Sequence, residues 1–152
     1  MITASVERLA GFKPHLVINQ IWSGAEWRLP QSGVRGVAIE YDDGFHQSVH
    51  VCVDAQPCYL TLSVKRFRNS IARISFFYSR PPKGLDQQSG TWEAHPAGSG
   101  CCLRLVRNVR LQRNNLESDS SFSARESAYG SLLADHLGRV LDGVLRRVAE
   151  PR

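Results

Sequence analysis

The sequence predicts an α+β domain: a curved antiparallel sheet of about seven strands wrapped around one long C-terminal helix, with two short helices near the N-terminus. Three observations predict it. Period-two apolar alternation separated by tight-turn residues fills positions 37–113. A wide apolar stripe at helical spacing follows, carried by Leu133, Leu137, Val140, Leu141, Val144 and Val148. Strands joined by short turns pair antiparallel, and such a sheet has one apolar face that needs a cover, which the stripe supplies.

Each element has its own signal. Residues 3–9 read as a short edge strand. Pro14 is a good first helical residue and opens a short helix through Ile21. Gly24 and Pro30 confine a second short helix containing Trp27. Residues 37–41 form a strand ending in the hairpin turn Asp42-Asp43-Gly44, and residues 45–53 form the next. Residues 58–67 alternate with Leu60, Leu62 and Val64 on one face, and Arg68-Asn69-Ser70 turns the chain. Residues 71–79 follow, then the break Pro81-Pro82-Lys83-Gly84. A short strand at 90–95 and a long one at 101–113 flank a turn at Pro96–Gly100. Ser123-Ala124-Arg125-Glu126 matches a capping box, which starts the helix near 124 and lets it run to Val148.

Composition bounds the rest. A chain of 152 residues makes one domain, 1–152. At that size roughly 68–70% of the unfolded surface is buried, and no metal or disulfide staple is needed. No apolar run approaches the roughly 18–20 residues of a membrane span, and no signal peptide is apparent, so the expected compartment is the cytoplasm. The net charge is +5, carried by 16 Arg and 3 Lys. Those charges are scattered along the chain, whereas nucleic-acid binders gather them on one face, which argues against a nucleic-acid partner. Cys52, Cys58, Cys101 and Cys102 have no zinc spacing and read as free thiols. His46 and His50 lie about 13 Å apart along a strand, too far for one ion. Nothing points to a metal or a cofactor, and no nucleotide loop or nucleophile elbow is present.

Alternation selects the residues that face the space between sheet and helix. Phe45 and Gln47 follow Val49, Val51 and Val53 inward; Arg66 follows Leu60, Leu62 and Val64; Tyr78 follows Ile74 and Phe76. Arg107 follows Leu103, Leu105 and Val109, and Val37 and Tyr41 follow Ile39. The polar inward set is therefore Tyr41, Gln47, Arg66, Tyr78 and Arg107, with Trp27 and Trp92 as aromatic walls and His136 on the flank of the helix stripe. A mostly apolar cavity with a few fixed polar groups suits a hydrophobic or aromatic small molecule. Guanidinium groups at Arg66 and Arg107 suit enolate or phenolate oxygens, unless their heads snorkel to solvent. Tyr78 is placed to donate a proton, and His136 is a base if it reaches the cavity. By this register no Asp or Glu points inward, which makes a paired-carboxylate mechanism improbable.

Several stretches carry a family resemblance. They are Lys13-Pro14 through Glu26-Trp27, Val37 through Gly44, Ser63-Val64-Lys65-Arg66, Arg80-Pro81-Pro82, Gly90-Thr91-Trp92-Glu93, and Gly98-Ser99-Gly100 with Leu103-Arg104-Leu105-Val106. Together they resemble the START-like, or Bet v 1-like (SRPBCC), superfamily, and within it bacterial polyketide aromatase/cyclases of the tetracenomycin type. Lys13-Pro14 stands where those cyclases have Ala-Pro, and Arg rather than Pro follows Trp27. The resemblance implies a helix-grip fold and an inward Arg at Arg66. It also implies dehydrative aldol cyclisation of a poly-β-ketone delivered on an acyl carrier protein, as in antibiotic biosynthesis. Arg66 and Tyr78 are then the catalytic candidates, and Trp27, Tyr41, Gln47, Trp92, Arg107 and His136 the substrate-binding ones. The alternative is a non-catalytic START-like protein that binds or sequesters a hydrophobic natural product or lipid. The oligomeric state stays open.

Overall fold

The structure is a computed structural model that describes residues 1–30, 32–55 and 58–150, with backbone only at 55, 58 and 59. In chain order the elements are β1 (Ile2–Ala10), α1 (Pro14–Trp22), a 3₁₀ turn (Ala25–Trp27), β2 (Val34–Asp42), β3 (His46–Ala55), β4 (Cys58–Ser70), β5 (Arg73–Arg80), β6 (Leu85–Ala97), β7 (Gly100–Leu111) and α2 (Asp119–Ala149). The seven strands form one antiparallel sheet in the order β1-β7-β6-β5-β4-β3-β2. Strands β2 to β7 are the expected meander, while β1 pairs with β7 rather than β2. The chain therefore crosses from one edge of the sheet to the other through α1 and the 3₁₀ turn. This is the helix-grip arrangement.

Core and sheet follow the alternation. Val49 and Val51 on β3, Val64 on β4, Ile74 and Phe76 on β5, Trp92 and Ala94 on β6, and Leu103, Leu105 and Val109 on β7 are all buried. They meet Val17, Ile18 and Ile21 of α1 and Leu133, Leu137, Leu141 and Val144 of α2. Close approach of neighbouring strands leaves no room for a side chain at Gly100 of β7 or at Gly90 of β6. A Cβ on Gly90 would lie 2.0 Å from the Val106 carbonyl oxygen of β7 and 2.8 Å from the Phe76 ring. Only glycine lets β6 coil this tightly between its neighbours.

Several element bounds and one orientation differ from expectation; β4, for one, runs through Arg68-Asn69 to Ser70 before the chain turns. Helix α2 begins at Asp119, not near 124: the Ser118 hydroxyl accepts from the Ser121 amide 3.2 Å away, so Ser118 is the cap and Ser123 lies inside the helix. Asp119 in the first turn and Arg146 and Arg147 in the last match the helix dipole. The expected second short helix is present, as the 3₁₀ turn Ala25–Trp27. Strand β6 starts at Leu85 rather than Gly90, and β7 stops at Leu111. Phe45 sits in the β2–β3 turn, 67% exposed, instead of pointing inward. Cys52, Cys101 and Cys102 are free thiols; the side chain of Cys58 lies outside the described residues.

Candidate functional site

The 3₁₀ turn places the residue that alternation had no means of finding. Helix α1 ends with the Ser23 amide on the Asn19 carbonyl and the Gly24 amide on the Ile21 carbonyl. Gly24 then adopts φ +95°, a left-handed conformation that side chains resist. That reversal sends Glu26 and Trp27 back under the sheet, where Glu26 meets Arg66 of β4.

Arg66 is 1% exposed, as its register between Gln47 and Phe76 requires. Each of its nitrogens donates to protein: Nε to Gln47 Oε1 at 2.7 Å, Nη2 to the Trp22 carbonyl at 2.7 Å, and Nη1 to Glu26 Oε1. The guanidinium also lies 4.4 Å from the Trp27 ring centre and 5.4 Å from that of Trp22. Gln47 extends the network by donating to the Trp22 carbonyl and to Asp42 Oδ2, and the Trp22 indole donates to Asp42 Oδ1. Two carboxylates thus point inward, Glu26 and Asp42, against the expectation of none.

Beside this network a cavity of about 700 Å³ opens between the inner sheet face and α2, within the size range of small-molecule sites. Its apolar wall includes Leu29, Val51, Val53, Leu62, Leu133 and Val140, and its polar groups include Glu26, Tyr78, Gln88, Arg107, Tyr129 and His136. Two buried atoms have no hydrogen-bond partner among the described residues, Glu26 Oε2 and Arg107 Nε. Both residues line this cavity, one an acceptor and the other a donor.

Electrostatics tune three of the titratable groups. Burial pushes the Glu26 carboxyl above the ordinary carboxylate range, with the Arg66 charge holding it back. Burial also raises the Tyr78 phenol, which stays protonated, while the charge of Arg107 opposes the shift. His136 is pushed below its usual value of 6.5, first by burial and then by the charges of Arg107 and Arg139, so it is neutral at pH 7.

Of the residues expected here, Trp27, Tyr78, Arg107 and His136 line the cavity. Arg66 and Gln47 do point inward but lie behind Glu26 and do not line the cavity. Trp92 is 2% exposed and packs in the core instead of forming a cavity wall. Tyr41 is 55% exposed and donates to Asp43 Oδ2. A bulge between Ile39 and Tyr41 shifts the pairing, so Tyr41 faces Ser48 and Asp42 faces Gln47. Tyr41 therefore leaves the inner face and Asp42 takes its place. Among the described residues no group of three or more His, Cys, Asp or Glu gathers as a metal site.

No family model and no curated protein sequence matches the chain. Solved structures do. The Zhui aromatase/cyclase from a Streptomyces species superposes with a TM-score of 0.75 at 15% identity over 97% of this chain and 93% of that one. The di-domain aromatase/cyclase BexL from the BE-7585A biosynthetic pathway gives 0.77 at 17% identity, covering 99% of this chain and 50% of the longer one. A START superfamily protein from Mycobacterium smegmatis gives 0.68 at 15% identity, covering 97% and 99%. The chain has the START-like helix-grip fold, and its structural neighbours include polyketide aromatase/cyclases.

Proposed function

We propose that the cavity takes up a poly-β-ketone and directs its intramolecular aldol closure and dehydration. The observation that carries this reading is the pair of buried, unpartnered atoms on one cavity, Glu26 Oε2 and Arg107 Nε, with the Tyr78 phenol in the same cavity. Glu26 is the proton acceptor: a carboxyl with a raised pKa, facing an apolar wall, takes a proton from the acidic carbon between two ketones. Arg107 donates to the enolate oxygen that develops, and Tyr78 donates to the carbonyl that is attacked. Tyr78 gives its proton to the alkoxide of the aldol, and loss of water follows as the Tyr78 phenolate takes the remaining proton from the same carbon and Glu26 returns its proton to the departing hydroxyl. Arg66 is a positioning residue that fixes the Glu26 carboxyl and touches no substrate. The structural neighbours named as aromatase/cyclases support the reading.

The test is incubation of the purified protein with a synthetic poly-β-ketone thioester, following dehydrated cyclic product by mass spectrometry. Wild type should accelerate ring formation over buffer. Glu26→Gln should remove about 10²–10⁴-fold of that acceleration, the usual contribution of a general base. Product formation no faster than in buffer would overturn the enzyme reading. The binding or sequestration reading then takes its place if native mass spectrometry shows the thioester retained one per chain. The involvement of both inner carboxylates in ties to Arg66, Gln47 and Trp22 favours that second reading.

A further inference from the structure

The cavity wall carries an uncompensated positive charge. Besides Arg107, three arginines of α2 line it, Arg139, Arg146 and Arg147. Among the described residues none of these four forms an ion pair, although arginines elsewhere in the chain do, with Asp142, Asp119 and Glu117 for example. The lining holds two carboxylates, Glu26 and Glu150; Glu26 is already bonded to Arg66. Arg139 and Arg146 are exposed and Arg147 half-buried, so the three stand at the opening, while the apolar residues Val51, Leu62 and Leu133 lie deeper. Leu132, on the same wall, is 68% exposed. The arrangement is a bipolar one: a donor and an acceptor at the buried end, an apolar middle, and guanidinium groups at the mouth.

We infer that the ligand is an organic anion, an apolar or aromatic body ending in one carboxylate or phosphate group that the α2 arginines hold at the mouth. This rests on the reading of the cavity as the ligand site and adds the charge of its occupant. Guanidinium groups bind carboxylate and phosphate in a plane with two donors each, and one such charge-assisted bond amounts to about ten- to a hundred-fold in affinity.

The test uses two fluorescent probes with one aromatic body. Anilinonaphthalene sulfonate carries an anionic group, and N-phenyl-1-naphthylamine lacks it. The anionic probe should bind one per chain at least about ten-fold more tightly at low salt, and the advantage should shrink as salt rises. The double variant Arg146→Gln, Arg147→Gln should abolish most of that ratio. Arg110→Gln, an exposed arginine away from the cavity, should leave it unchanged. Competition by dodecanoate or by dodecyl phosphate then assigns the head as carboxylate or phosphate, and competition by neither would sink the inference. Equal affinity for the two probes would overturn the anion while leaving the cavity reading intact; failure of both probes to bind would overturn the cavity reading itself. Val140→Trp, which fills the cavity, should weaken both. If the sulfonate probe still bound that folded variant with undiminished affinity, the arginines would serve an acidic macromolecule outside the cavity, and the inference would fail.

Discussion

Arg66 and Glu26 form a buried pair whose members depend on each other. The guanidinium has three protein acceptors and the carboxylate has one strong donor, so removal of either leaves a charge without compensation. Breaking such a pair typically costs 3–5 kcal/mol. Arg66→Ala should therefore destabilise the fold by about that amount in urea titration, rather than acting on ligand affinity alone. A variant with wild-type stability would show the network to be dispensable. His136 makes a pH prediction. Its pKa is lower in the folded chain than the ordinary 6.5, so on acidification the unfolded chain binds the proton first. The stabilisation is present above 6.5 and is lost as pH falls through the lower folded value. The melting temperature should fall more steeply across that window in wild type than in His136→Asn.

At the scale of elements, the start of α2 and the phase of β2 are both set by single local features. Ser118 caps the helix, and its replacement by Ala should cost about 1 kcal/mol, or roughly 2–4 °C in Tm. Ser123→Ala, at an exposed interior position, should cost nothing and gain slightly from helix propensity. Equal losses at the two sites, measured by thermal melting, would place the helix start at the capping box instead. The bulge at Ile39/Tyr41 inserts one residue opposite β3 and so rotates Asp42 onto Gln47. It is the reason an aspartate, and not a tyrosine, closes the buried network.

The whole molecule depends on a sheet coiled enough to hold both a helix and a cavity. Gly90 allows that coil, because a methyl group there would meet backbone of β7 at 2.0 Å. Gly90→Ala should force β6 and β7 apart and destabilise by on the order of 3 kcal/mol, read from chemical denaturation. Gly11→Ala, where nothing lies within 4 Å, is the matched control and should be near neutral.

The sequence by itself determined the strand-then-helix order, the antiparallel pairing of adjacent strands, the inward direction of Arg66 and Gln47, and the buried stripe Leu133, Leu137, Leu141 and Val144. These are consequences of period 2 and period 3.6, which need no knowledge of a partner. Tertiary structure alone decided the rest. Glu26 sits in a three-residue turn with no period to read, and its partner Arg66 lies 40 positions away in the chain. Tyr41 left the inner face because a bulge exists only relative to the strand it faces. Trp92 and Arg107 sit on the same inner sheet face, yet one packs in the core and the other lines the cavity. That division depends on where the two helices lie: α1 packs against β6, where Trp92 sits, while α2 lies over β1 and β7 and leaves the space beside β3, β4 and β5 open. Alternation assigns a side chain to a face of the sheet, and only the positions of the covering helices separate packed surface from cavity wall on that face.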